Sequence, residues 1–300
     1  MKSQIVPYPT THIPAESMAQ SSWTHRLGFF VLFLICEAAI FIFGSHYFDV
    51  FSTNKNLTFN IIVSAAFLAS ALWLKYDRRW NKHWQIVFVF FIASVAFPFT
   101  ALSEGWIRAV LGWFAETVNT SRGQAIAKVC EMALKVAPIL ALVRLSGADV
   151  GSIYLKRGDL KLGAGIGLLV FFFLTPAAFM FAAQRFTSGD TLMAAVVWGI
   201  VFSLANGFME ELWLRGIFLK RFEPVLGIHA TVWLTSIIFA WMHSFAFYFM
   251  PAVLAFYAIN TLALGLACGY LMVKSDSLWG PVIIHAASDF FLFIAVLANA

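Results

Sequence analysis

The chain has 300 residues, of which 61% are hydrophobic and only 12% are charged, and its mean hydropathy is +0.82. A soluble domain of this length cannot bury so much apolar surface, so the composition excludes an ordinary soluble protein and requires lipid around most of the chain. The formal net charge of +5 is typical of basic cytoplasmic loops in a membrane protein, and we expect no nucleic-acid partner.

The hydrophobic pattern predicts a polar tail over residues 1–26, followed by membrane-spanning helices. A span needs about 20 mostly apolar residues. The stretches that approximately qualify are 27–48, 57–75, 84–102, 125–146, 163–184, 193–219, 228–248, 251–273 and 277–298. The fourth is the weakest because it carries several charged residues and a proline, and without it the count is eight. We therefore expect an all-α polytopic membrane protein with about eight to nine transmembrane helices.

Lysine and arginine are unevenly distributed between the loops. With the N-terminus inside, nine spans place thirteen basic residues in cytoplasmic segments and four on the opposite side, as the positive-inside rule requires. We expect an integral, multi-pass protein in the lipid bilayer with a cytoplasmic N-terminus, in the cell membrane if the host is prokaryotic. The sequence does not specify an oligomeric state.

Ionisable residues inside the predicted spans concentrate in the last third of the chain. The sixth span contains Glu210, Glu211 and Arg215, the seventh contains His243, and the ninth contains His285 and Asp289. Such groups are costly at membrane depth and are functional candidates by default. Glu37 in the first span and Glu131 in the fourth have no motif around them, so we expect them to be paired structurally and not to be catalytic.

Helical spacing assigns a geometry to these groups. Glu211 and Arg215 are four residues apart, so they share one helix face and can form an ion pair. Glu210 is rotated by about 100° from Glu211 and points elsewhere, towards a cavity. His285 and Asp289 are again four residues apart. Two imidazoles and a free carboxylate from three helices can converge on one water. These are the groups that general acid–base hydrolysis requires.

The same residues also permit a metal site. His243, His285 and Glu210 would suit zinc with an open water position. However, the chain has no His-Glu-x-x-His sequence, and the ligands would have to come from three separate helices. Our leading interpretation therefore requires no cofactor, and a divalent metal such as zinc is the alternative.

Three short motifs resemble those of a known family. Glu210-Glu211-x-x-x-Arg215, Phe239-x-x-x-His243 and His285-x-x-x-Asp289 are similar, in order and spacing, to the signature motifs of the CAAX prenyl protease type II family. This family is also called the CPBP or Abi family of intramembrane endopeptidases. The flanking sequence 277–285 and the basic stretch 153–161 resemble the family as well. The resemblance implies a protease core over residues 149–300, with residues 27–148 as accessory transmembrane helices of unassigned role.

The resemblance implies that Glu210 is the base that activates water, assisted by His243, and that Glu211 and Arg215 brace the site. His285 and position 289 would complete the site or stabilise the oxyanion. The family motif often ends in Asn, whereas this chain has Asp289, and an ionised Asp cannot donate a hydrogen bond.

The expected function is an intramembrane endopeptidase that hydrolyses a peptide bond of a membrane-associated protein or of a lipidated, CAAX-type peptide. Its partners would be that substrate and the bilayer. The alternative is a non-catalytic membrane transporter or a bacteriocin-immunity-type protein that uses the same polar cluster. Paired discontinuous helices and an internal repeat would favour a transporter, and neither is visible in the sequence.

Overall fold

A computed structural model describes residues 23–45, 53–111, 120–183, 189–245 and 251–297, and these form helices without any strand. The α-helices are α1 Trp23–Phe41, α2 Thr53–Tyr76, α3 Trp84–Leu111, α4 Ser121–Leu145, α5 Leu160–Ala183, α6 Gly189–Glu211, α7 Leu219–Leu226, α8 Ile228–Phe245, α9 Pro251–Ser275 and α10 Trp279–Leu297. Two 3₁₀ turns, Asn81–His83 and Val150–Ile153, and one π-helical turn, Leu212–Gly216, connect them. Long apolar helices are expected here, because a lipid-exposed backbone must satisfy its own hydrogen bonds.

Five helical segments among the described residues are long and apolar enough to cross a membrane. They are Trp23–Phe41, Lys55–Tyr76, Asn81–Ile107, Thr191–Leu226 and Tyr257–Ser275. Segments of this length and composition are typical of an integral membrane protein. The all-helical architecture is thus confirmed, whereas the expected count of eight to nine transmembrane helices is not.

A helix lies over each of the nine predicted stretches, and the largest difference concerns the end of the sixth. The apolar pattern predicts one helix over 193–219, but α6 ends at Glu211, continues through the π-helical turn and is followed by the short helix α7. The chain then reverses at Gly227, whose φ of 81° favours glycine. The helical path therefore runs seven residues further than predicted before it turns into α8.

This longer path explains how residues at different predicted depths reach the same level. Measured from the predicted helix ends, His243 lies about 22 Å deep, whereas Glu210 lies about 12–15 Å deep. In the structure the chain turns at Gly227, 17 residues after Glu210 and 16 residues before His243. Because the two arms are equally long, Glu210 and His243 come to the same height.

One hydrophobic core joins the N-terminal helices to the second half of the chain. Phe33 of α1 lies 4.5 Å from Phe222 of α7 between ring centroids. Phe41 packs edge-on against Trp213 at 5.1 Å, and Phe90 of α3 lies 5.8 Å from Phe218. These rings surround the π-helical turn, so the N-terminal helices form one wall of the region that carries Glu211 and Arg215.

Glycines allow α5 and α10 to approach closely. A Cβ atom at Gly280 would lie 2.5 Å from the carbonyl oxygen of Gly163, and one at Gly167 would lie 2.9 Å from the carbonyl oxygen of Gly280. Real Cβ atoms do not tolerate such distances, so the contact requires glycine at both helices. This packing sets the position of α10, which carries His285.

Several loops that were predicted to share the cytoplasmic side meet at one end of the bundle. Lys220 donates hydrogen bonds to the carbonyl oxygen of Gly151 at 3.1 Å and to Asp276 Oδ1 at 2.8 Å. Lys156 also pairs with Asp276. Although partial burial opposes ionisation, these two ammonium groups hold the pKa of Asp276 below its usual range. The loop before α5 and the loop between α9 and α10 thus lie together at the start of α7.

The charges of α4 are paired within the helix. Glu131 accepts hydrogen bonds from Lys128 at 2.7 Å and from Lys135 at 2.6 Å. The Lys135 Nζ also lies 4.5 Å from the ring centroid of Trp213. The expectation that Glu131 has a structural partner is therefore confirmed, and α4 presents these charges towards neighbouring helices.

Candidate active site

The polar cluster begins where α6 ends. Glu210 and Glu211 are the last residues of α6, and Arg215 lies in the π-helical turn that follows. The amide of Ile217 donates to the carbonyl oxygen of Leu212 at 3.1 Å, a five-residue step that defines the π-helical turn. Such single turns inside helices occur frequently at functional sites.

Glu211 and Arg215 form the ion pair that their spacing predicts. Arg215 Nη1 donates to Glu211 Oε1 at 2.5 Å, and both side chains are completely buried. The guanidinium carbon lies 4.3 Å from the ring centroid of Phe239, which adds a cation–π contact. Gly265 of α9 leaves room for the guanidinium, since a Cβ at that position would lie 2.9 Å from Arg215 Nη2.

His285 connects this ion pair to Glu210. Its Nδ1 lies 2.7 Å from Glu211 Oε1, the same oxygen that accepts from Arg215. Because a carboxylate only accepts, His285 carries a proton on Nδ1 and donates it to Glu211. Its Nε2 then points at Glu210 Oε2 at a distance of 3.6 Å. The imidazole is 1% exposed and stands edge-on to the Phe239 ring at 5.3 Å, so its orientation is set on both sides.

His243 approaches Glu210 from α8. Its Nδ1 lies 2.9 Å from the backbone carbonyl oxygen of Phe239, so Nδ1 is the donor and Nε2 faces the site. The Nε2 atom lies 3.4 Å from Glu210 Oε2. Two imidazole Nε2 atoms thus converge on one carboxylate oxygen, and that oxygen has no direct hydrogen-bond partner among the described residues. Distances of this size leave the carboxylate and both imidazoles able to contact the same water.

Asp289 completes the cluster next to Asn206, which was not among the predicted site residues. Asn206, one turn before Glu210, donates from Nδ2 to Asp289 Oδ2 at 2.8 Å. The other carboxylate oxygen, Oδ1, lies 3.7 Å from His285 Nε2. Asp289 therefore acts as an acceptor here, and Asn206 is the side chain that carries an amide at this corner of the site.

The two histidines also share a feature of metal ligands. Each histidine uses Nδ1 for a carboxylate or carbonyl and presents Nε2, which is how metal-ligating histidines are usually held. Among the residues that the structure describes, however, no group of three His, Cys, Asp or Glu side chains meets the geometry for holding a metal ion.

The structure thus gathers all six predicted residues. Glu210 meets His243 and His285, Glu211 meets Arg215 and His285, and Asp289 lies beside His285. Asn206 was not among the predicted site residues, although it lies in the same predicted span, four residues before Glu210. It also gave no role to Phe239, whose ring contacts Arg215 and both imidazoles.

Comparison with known proteins agrees with this geometry. Residues 192–291 match the model of the Rce1-like family, described as type II CAAX prenyl endopeptidases. The matched segment is similar to an Rce1-like peptidase domain. It contains every residue of the polar cluster, and the activity class is that of a hydrolase. The family resemblance expected from the three motifs is confirmed. No curated protein and no solved structure matches the chain.

Proposed function

We propose that this Rce1-like protein is an intramembrane endopeptidase in which Glu210 activates the attacking water. The observation that carries the proposal is the convergence of His243 Nε2 and His285 Nε2 on Glu210 Oε2, at 3.4 and 3.6 Å. A water held at this point can lose one proton to Glu210 while its other proton is held by an imidazole Nε2, which acts as an acceptor. The carboxylate is almost completely enclosed, so few competing waters surround it.

The steps of the reaction are given by the proton donors and acceptors of the site. Water transfers one proton to Glu210 as its oxygen adds to the carbonyl carbon of the scissile peptide bond. The oxyanion that forms requires hydrogen-bond donors, and the amide of Asn206 can supply one. His285 supplies another only as an imidazolium, because its Nδ1 proton is already donated to Glu211. When the carbon–nitrogen bond breaks, Glu210 returns its proton to the leaving amine. Asp289 accepts from Asn206, so we assign it the orientation of that amide instead of direct donation to the oxyanion.

Glu211 and Arg215 support the site without touching the substrate. Arg215 fixes the Glu211 carboxylate, and Glu211 fixes the Nδ1 proton of His285. This arrangement keeps the imidazole in one tautomer, with Nε2 directed at the reacting water.

For the substrate, we propose a lipidated, CAAX-type peptide or the end of a membrane-associated protein. The family description supports this class, and Glu210 lies on the segment Thr191–Leu226, which is apolar enough to span a bilayer. For the orientation, we propose that the N-terminus lies in the cytoplasm, so that the end bearing Lys156, Lys220 and Asp276 faces the cytosol. Labelling of single cysteines at positions 156 and 274 in intact cells, with impermeant and permeant reagents, tests this orientation. Labelling of both positions by the impermeant reagent would contradict it.

We propose that no metal is needed for the hydrolysis. Purified protein that is treated with a chelator and found metal-free by elemental analysis is expected to keep its activity. Loss of activity that is restored by zinc, together with about one zinc per chain, would overturn the metal-free mechanism.

The test of the catalytic proposal is Glu210→Gln, which keeps the shape of the side chain but removes the base. Loss of a general base costs about 10²–10⁴ in rate, so we expect cleavage of a prenylated peptide in lipid nanodiscs to fall by at least about a hundredfold. Glu223→Gln in α7 is the matched control, since Glu223 lies outside the cluster and should retain activity. Wild-type cleavage rates in Glu210→Gln would refute the role of Glu210.

A further inference from the structure

An open cavity of about 490 Å³ lies at one end of the bundle, between the start of α1 and the junction of α7 with α8. Trp23, Arg26, Leu27 and Phe30 line it from α1, and residues 226–230 line it from the other side. No residue of the polar cluster lines it. Its volume falls within the range of about 300–1,000 Å³ that is typical of small-molecule sites, so the cavity is a candidate binding site separate from the active site.

The polarity of the cavity changes along α1. Trp23, Arg26 and Phe30 follow one another at intervals of three and four residues, so they share one face of the helix. Trp23 and Arg26 belong to the first turn of α1, whereas Phe30 lies about 10 Å further along than Trp23. One turn beyond Phe30, the rings of Phe33 and Phe222 meet at 4.5 Å between centroids and bring α1 and α7 together. The cavity therefore has a charged mouth and an apolar inner end.

The mouth of the cavity carries side chains that are typical of a membrane–water interface. Trp23, the first residue of α1, is 74% exposed. His229 lines the opposite side of the cavity, and its Nδ1 lies 3.1 Å from the hydroxyl oxygen of Tyr270. Trp and Tyr side chains concentrate at the level of the lipid headgroups. We therefore expect the mouth to lie at the depth of the lipid phosphates.

Arg26 supplies a positive charge to this mouth. A guanidinium stays ionised in proteins, and its planar N–H groups can form two parallel hydrogen bonds with a phosphate. The acidic residue of α1 is Glu37, which lies eleven residues, or about 16 Å, further along the helix. Glu37 is completely buried, and neither of its carboxyl oxygens has a hydrogen-bond partner among the described residues, so its expected structural pairing is not found. It is also too far from Arg26 to pair with it.

We propose that this cavity binds one anionic phospholipid, with its phosphate at Arg26 and His229 and its acyl chains towards Phe30. Basic pockets between membrane helices suit anionic headgroups, whereas a zwitterionic lipid would bring its own cation beside Arg26. A phosphate oxygen only accepts, so Nε2 of His229 carries the proton and Nδ1 accepts from the Tyr270 hydroxyl. The lipid contacts both α1 and the start of α8, and it thereby connects an N-terminal helix to the helix that carries His243.

The test measures lipid binding to the purified full-length chain. It uses no peptide substrate, so its outcome is independent of the proposed peptidase function. The protein in detergent is titrated with phosphatidylglycerol or with phosphatidylcholine of the same chain length, and native mass spectrometry measures the bound lipid. We expect one phosphatidylglycerol per chain to bind about five to ten times more tightly than phosphatidylcholine, and we expect inorganic phosphate not to displace it. Equal binding of the two lipids, or displacement by inorganic phosphate, would overturn the inference.

Variants locate the binding site at the cavity. Arg26→Gln should weaken the binding of phosphatidylglycerol about five- to tenfold and leave that of phosphatidylcholine unchanged. His229→Phe keeps a ring but removes the donor at an exposed position, so it decides the question if Arg26→Gln does not fold. Arg79→Gln is the matched control, because Arg79 is an exposed arginine beside Trp80, at 5.3 Å, that does not line this cavity. A wild-type preference in folded Arg26→Gln or His229→Phe, or an equal loss in Arg79→Gln, would refute the proposal.

Discussion

Replacement of Glu211 by Gln tests the carboxylate that joins Arg215 to His285. The carboxylate accepts from Arg215 at 2.5 Å and from His285 at 2.7 Å, and no part of it is exposed. Both donors reach the same oxygen, Oε1, so the amide oxygen of Gln can still face them, but a neutral amide removes the charge that pairs with the buried guanidinium. Breaking a buried ion pair by removing one partner costs about 3–5 kcal/mol. We therefore expect Glu211→Gln to lower the free energy of unfolding by about that amount.

The assay combines thermal unfolding in lipid nanodiscs with cleavage of a prenylated peptide below the unfolding midpoint. We expect the folded fraction of Glu211→Gln to be much less active, because a neutral amide oxygen is a weaker acceptor for the Nδ1 proton of His285 than a carboxylate. Glu131→Gln is the control: it also removes a carboxylate with two basic partners, but its side chain is 24% exposed, so the expected loss of stability is smaller. Equal losses in the two variants, or full activity of Glu211→Gln, would refute the reasoning.

Three further variants probe the contacts around this centre. Gly265→Ala would place a Cβ 2.9 Å from Arg215 Nη2. We expect this overpacking to lower the free energy of unfolding by about 1–3 kcal/mol and to lower activity. An unchanged melting temperature would contradict this expectation. Asn206→Ala should reduce kcat by a factor of about 10²–10³ if the Asn206 amide stabilises the oxyanion. Asn206→Asp should reduce kcat at least as much, because it places a second carboxylate beside Asp289. A wild-type kcat in either variant would exclude this role of Asn206. Asp276→Asn tests the pH dependence of stability: because the folded pKa of Asp276 is lowered, its contribution is present at neutral pH and is lost as the pH falls below about 4. The half-exposed carboxylate contributes at most about 1 kcal/mol, so wild type and Asp276→Asn should differ in melting temperature at pH 7 and converge in acid.

Much of the candidate site was predictable because its geometry is local. The Glu211–Arg215 pair follows from four-residue spacing on a helix, and the apolar context of Glu210, His243 and His285 required them to face one another or a cavity. What the spacing could not supply was the distance between helices. That distance depends on glycine contacts such as Gly163 with Gly280, where backbone atoms meet.

Other features depended on backbone geometry that a hydropathy pattern does not contain. The π-helical turn does not interrupt the apolar sequence 193–219, so this stretch was predicted as one helix that ends at residue 219. The helical path in fact continues through α7, and the depth of His243 relative to Glu210 was therefore predicted incorrectly. The hydrogen bond from Asn206 to Asp289 joins residues 83 positions apart, which no local pattern can pair. The number of spans also stayed unconfirmed, because a helix with paired internal charges such as α4 can pack among other helices without meeting lipid over its whole length.

The N-terminal helices that form one wall of the site supply polar partners that the peptidase segment needs in order to fold. Lipid chains can replace the rings of Phe33 and Phe90, but they cannot replace polar partners. Trp213 donates its indole N–H to the carbonyl oxygen of Ala93 at 2.9 Å, and Arg221 donates to Gln85 Oε1 at 2.9 Å. A fragment restricted to residues 192–291 would leave such groups facing hydrocarbon. The stretch that relates this chain to other peptidases is therefore smaller than the stretch that must fold together to build the site.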